Sequence, residues 1–178
     1  MLVDGISRKG LQLLAQQVLI AAQTLAGANV FEPRAWPSRP EDLPMLLLQT
    51  PGDRKVSMFP GQPVFTTTIT LVVVGRVASL NEIDANQALD TLAGQIEDAL
   101  LVSPQIAAAV QQFSTIETKT VVSADGKYFI GEIGMTLEIV VYQAFGPSGD
   151  PLTNVTGTIH PDGTIGIGNP IIIQSIAG

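Results

Sequence analysis

Residues 64–78 read VFTTTITLVVVGRVA. Threonine and valine dominate this run and no proline interrupts it. Side chains branched at Cβ are restricted at χ1 and suit extended backbone. The period of two puts Phe65, Thr67, Ile69, Leu71, Val73 and Val77 on one face, and Thr66, Thr68, Thr70, Val72, Val74 and Arg76 on the other. The stretch therefore predicts one long strand with a predominantly apolar face. Such a face needs a second layer to cover it.

The flanking sequence supplies that layer. Ser7 is a candidate N-cap, and Leu11, Leu14, Ala15, Val18, Ala22 and Leu25 follow at helical spacing up to Gly27. Residues 45–50, MLLLQT, are bounded by Pro44 and Pro51 and predict a short strand buried on both faces. Residues 51–63, PGDRKVSMFPGQP, predict a loop. Capping signals at Ser79 and Asn81 start a helix near residue 82, with a stripe of Leu89, Leu92, Ile96, Ala99 and Leu100. Ser103-Pro104 opens a shorter helix to about Phe113. Residues 115–122 alternate as a strand, and Asp125-Gly126 marks a hairpin. The return strand, 128–145, sets Phe129, Ile133, Met135, Leu137, Ile139 and Val141 on one face and Glu132, Thr136 and Glu138 on the other.

These elements predict an α+β fold: a mainly antiparallel sheet with long strands, helices packed on one face, and a C-terminal β appendage. The predicted units are an α+β domain at 1–145 and a β-rich extension at 146–178, which carries no helical signal and few large side chains. Each of the two longest strands would span on the order of 50 Å at ~3.3 Å per residue, more than an ordinary strand. Strands of this length overhang their own domain and meet partners.

Composition narrows the function classes. Charged residues make up 14% of the chain and apolar residues 46%, against roughly 25% charged in an ordinary soluble domain. So little charge points to surface hidden in an assembly. The formal charge is −7 and the cations are scattered, which argues against sequence-specific nucleic-acid binding. There is no cysteine and no apolar run of membrane-spanning length. The sequence reads as a chain made in the cytoplasm, without membrane association.

The search for chemistry finds no catalytic constellation, metal site or cofactor motif. His160 is the only histidine and sits beside Pro161 in a turn. Glu132 and Glu138 share a strand face but lie roughly 20 Å apart by strand rise, too far for an acid/base pair. Glu97 and Asp98 are adjacent on a helix and diverge. The glycine-rich GTIGIG at 163–168 precedes no helix that could cradle phosphate.

A further pattern runs along residues 6–145. It begins with SRKGL at 7–11 and continues through Val30-Phe31, Arg34, Trp36-Pro37, Leu43-Pro44 and the short apolar strand. It then passes through FTTTITLVVVGRV at 65–77, an acidic helix ending in ALL at 99–101, and GEIGMTLEIVVYQ at 131–143. In this order the elements resemble the tail terminator (tail completion) proteins of long-tailed bacteriophages and prophages. The resemblance implies a structural virion assembly protein, made in the host cytoplasm and resident in the virion tail. It implies a homo-oligomer, a hexameric ring, that caps the tail tube protein, stops its polymerisation and offers a face to the head–tail connector protein. Residues after Gly146 depart from the short form of that family; they are expected to pair with a neighbour's sheet edge or a sheath protein.

On this reading Arg34, Trp36, Arg54, Lys55, Met58 and Phe59 are the candidate partner-binding residues. Glu82, Asp84 and Asp90 are candidates to line a channel through which DNA passes without sticking. Each has a plainer reading: Trp36 in the core, the 51–63 loop as a cap over the sheet, and the acids as a solvated helix face. Two other functions fit the residues. One is a different small head–tail joining or minor tail protein; the other is a cytoplasmic metal-free α+β enzyme or ligand-binding domain.

Overall fold

A computed structural model describes residues 3–32, 40–146, 158–159 and 165–166. In chain order the elements are β1 (Val3–Asp4), α1 (Arg8–Ala21), β2 (Val30–Phe31), a 3-10 turn (Pro40–Asp42), β3 (Met45–Ser57), β4 (Val64–Ser79), α2 (Glu82–Val102), α3 (Pro104–Ala109), β5 (Gln112–Asp125), β6 (Tyr128–Phe145), β7 (Thr158–Ile159) and β8 (Ile165–Gly166). The chain divides into two compact units, Leu2–Gly146 and Pro147–Gly178, the latter grouped with Met1. In the smaller unit, β7 and β8 pair antiparallel; His160 and the predicted turn at Pro161 lie outside the described residues.

The larger unit is α+β, as the sequence predicts. Its sheet has six strands among the described residues, with β6 and β4 at the centre and β3 beyond β4. β5 and β1 share the other side of β6, β1 at its last two residues and β5 along most of the rest. All pairings are antiparallel except β2 with β3. The central strands are long: β4 has 16 residues and β6 has 18.

The helices cover one face. Leu11, Ala15, Val18 and Leu19 of α1, Leu89, Leu92, Ile96 and Leu100 of α2, and Ile106 of α3 are buried in one core with the inward residues of β4 and β6. Those strand residues are the predicted ones: Ile69, Leu71, Val73 and Val77 meet Ile133, Met135, Leu137, Ile139 and Val141. Two glycines let α2 lie flush on the sheet. A Cβ at Gly75 would stand 2.8 Å from Leu92 Cδ2, and one at Gly131 would stand 2.9 Å from Leu89 Cδ1. Both are closer than real Cβ contacts allow, so side chains here would lift the helix.

Of the strand predicted at 45–50, residues 45–48 are buried on both faces, whereas Gln49 is exposed and the strand runs on to Ser57. Leu46 and Leu48 join the helix-side core. Met45 and Leu47 pair with Arg76 and Val74 on the opposite face and are only 2% and 6% exposed. The peptide bond before Pro44 is cis.

The sequence prediction of a loop over 51–63 is corrected. Residues 51–57 continue β3, with Arg54 opposite Thr68 and Lys55 opposite Thr67. The register shifts between Gln49 and Gly52. A bulge there absorbs Pro51, whose missing N–H would otherwise break the ladder. Only residues 58–63 form the turn, closed by the Met58 N–H donating to the Val64 carbonyl at 3.0 Å. Helix α1 ends at Ala21, earlier than Gly27, because Gln23 adopts a left-handed φ of 50° that no helix continues through. Helix α3 is shorter and β5 longer than predicted.

The two ends of the unit are fastened together. The Gln143 side chain is 3% exposed; its Nε2 donates to the Ile6 carbonyl at 2.7 Å and its Oε1 accepts from Thr67 Oγ1 at 3.1 Å. Gly5, at φ 107°, passes so close to the Tyr142 carbonyl that a Cβ would lie 1.9 Å from its oxygen.

Candidate interaction surface

The β3–β4 hairpin forms an arm at one end of the sheet. From Asp53 to Pro63 every residue is exposed. At its tip the Ser57 hydroxyl donates to the Phe59 carbonyl at 3.1 Å, and Gly61 takes a φ of 75° that favours glycine. This turn leaves Met58 39% and Phe59 51% exposed. Val56, 51% exposed, flanks Thr66, whose other neighbour is Tyr142 at 49%. Val56, Thr66 and Tyr142 share the helix-free face, and the turn that carries Met58 and Phe59 follows directly on Ser57. Tyr142 and Val56 are absent from the sequence-derived candidates. Alternation along β6 puts Tyr142 on the face of Glu138, but its proximity to the arm depends on pairings distant in sequence.

Arg54 and Lys55 do not act as a pair, because the pleat sends them to opposite faces. Lys55 forms an ion pair with Asp53 on the helix side. Arg54 points to the open face, where it borders a shallow depression of about 430 Å³ with Thr68, Thr70, Ser114 and Glu138. Farther along that face, Arg76 Nε donates to Glu132 Oε2 at 2.8 Å across the β4–β6 pair. On β5 the Lys119 ammonium lies 2.8 Å from Glu117, and that hydrogen-bonded carboxylate holds Lys119 above its ordinary pKa.

Glu82, Asp84 and Asp90 all lie exposed on α2. The first two belong to its opening turn, where Asn81 caps the helix: its Oδ1 accepts from the Asp84 N–H at 2.8 Å. Carboxylates there also suit the positive end of the helix dipole. The helix carries five acids and no cation, counting Glu97 and Asp98. Arg34 and Trp36 lie outside the described residues.

Among the described residues no three His, Asp or Glu side chains gather where a metal ion could sit. No helix among them is long and apolar enough to cross a membrane. What the surface offers is contact: an apolar arm tip, a Thr- and Val-rich open sheet face, an acidic helix, and β5, a long strand exposed over most of both faces.

No protein-family model matches the chain. No curated protein sequence matches it either. Among solved structures it is similar to a chain in the virion of a native gene transfer agent particle. That likeness covers 73% of this chain and 90% of the other, at 16% identity and a TM-score of 0.40.

Proposed function

We propose that this protein is a structural component of a phage-like virion, of the tail terminator kind: copies close into a ring that caps the tail tube, stops its growth and offers the head a face to join. The observation that carries this reading is the β3–β4 arm. It stands at one end of the sheet, exposed from Asp53 to Pro63, and ends in an exposed Met58–Phe59 pair, with Val56 and Tyr142 exposed on the two strands that flank Thr66. Apolar side chains held on a rigid hairpin suit docking to a protein, since aromatic and Met residues are enriched in interface cores. The order of sequence elements over 6–145 and the low charge support the same reading.

In this proposal Met58 and Phe59 contact the tube protein or the connector, and Arg54 lies on the face beside them. Arg34 and Trp36 belong to the same partner-binding set. The acids Glu82, Asp84 and Asp90 of α2 line the channel and repel the phosphate backbone as DNA passes. Residues 1–145 form the terminator-like domain and 146–178 an extension that meets a neighbouring subunit or a sheath. The ring is a hexamer, made in the host cytoplasm and carried in the tail.

The test is to change Met58 and Phe59 to Ser together and mix the variant with tail tube protein. The native chain is expected to fix tube length, and the variant to leave tubes growing. Tubes capped equally by both proteins would remove the arm from the proposal.

A further inference from the structure

We infer that the outer edge of β5 is a self-assembly edge, and that the strand covering it is the outer half of β3, residues 52–57, from a second copy of this chain. The inference rests on the self-association in the function proposed above and names the surfaces that carry it.

Both edges lack a partner among the described residues. β5 pairs only with β6, and β3 beyond Leu47 pairs only with β4. An unpaired strand edge is a row of free N–H and C=O groups that templates another strand unless it is blocked. β5 has no proline, and its one irregularity, between Phe113 and Thr115, stands at its start. Beyond that point it is largely threonine, valine and isoleucine, and it has exposed apolar side chains on both faces: Ile116 at 36% and Val121 at 65%. A strand of 14 residues so uncovered is an incomplete interface.

Strand direction identifies the occupant. Across the sheet, β3, β4, β6 and β5 alternate strictly. Four is an even number, so a rotated copy set edge to edge brings its β3 antiparallel to β5. The ladder then continues from copy to copy with the same geometry that it has within each. The contact joins two different edges, so it is heterologous, the kind of contact that builds a ring where the rotation between copies closes. Charge agrees. The outer half of β3 carries Arg54 and Lys55 against Asp53, and β5 carries Glu117 and Asp125 against Lys119. The pleat sorts the neighbours: Arg54 and Val56 of one copy meet the open-face residues Thr115, Glu117, Lys119 and Val121 of the next.

The chain has no cysteine, so a disulfide scan tests the pairing directly. Val56→Cys protein is mixed in equal amounts with single Cys variants at each position from Thr115 to Val121, with and without tail tube protein, and mildly oxidised. Mixed dimers are expected at one or two neighbouring odd-numbered positions and not at the even-numbered ones between them. In parallel, the double variant Thr118→Lys/Thr120→Lys is expected to fall to single-chain mass by light scattering while keeping its circular dichroism spectrum. If the native chain assembles but the scan is flat, or yields only dimers of like variants, the pairing is overturned and the ring proposal stands. A native chain that stays single with and without tube protein overturns both.

Discussion

Gly131 and Gly134 sit three residues apart on the same strand and should respond in opposite ways to a side chain. At Gly131 a Cβ meets Leu89 and Val77 at 2.9 Å, while at Gly134 it meets nothing within 4 Å. Gly131→Val is therefore expected to cost about 1–3 kcal/mol by overpacking the helix–sheet contact. Gly134→Ala is expected to gain a few tenths to about 1 kcal/mol, because glycine weakens a strand interior. Urea unfolding of the two variants beside the native chain checks both signs. Gln143 allows a paired test. Gln143→Leu leaves the Ile6 carbonyl and the buried Thr67 hydroxyl without their partner, at about 1–3 kcal/mol. Adding Thr67→Val removes one of the two orphaned groups, so the double variant should recover part of that loss in the same measurement.

At the scale of elements, the caps and the central strands were legible in the sequence. Asn81 caps α2 as its side chain predicts, and Asn81→Ala is expected to lower stability by about 1 kcal/mol, seen as a drop in melting temperature. The boundaries of β6 follow from alternation alone, because one face meets the core at every second residue. The outer half of β3 was not legible. It is exposed on both faces, so it shows no alternation, and Pro51-Gly52 imitates a turn where the structure has a bulge. That misreading also concealed part of the candidate surface. Arg54 and Lys55 look like one basic pair on a loop, yet the strand separates them. Tyr142 reaches the arm only through the β4–β6 register, 76 positions along the chain from its partner Thr66. The exposure of Met58 and Phe59 was legible in the sequence because a turn leaves them exposed whatever strands flank it.

Across the whole molecule, charge is unevenly shared. Of the formal −7, α2 contributes −5 and residues beyond 146 contribute −2, so the remaining sequence is neutral as a sum. The unit 2–146 contains a complete core, and its first strand pairs with its last, Val3 opposite Phe145. A chain ending at Gly146 is expected to keep a single cooperative thermal transition within a few degrees of the full chain, followed by circular dichroism. One ending before β6 should not fold, because β6 joins three other strands. The one-sided pairing of β5 has a further outcome in heavy water. Its amides alternate between facing β6 and facing solvent, so deuterium should enter that strand as two interleaved sets, one slow and one nearly as fast as in an open chain. Sealing the seam between subunits would slow the fast set where the neighbouring strand lies, leaving a trace of assembly written in every second peptide group of that stretch.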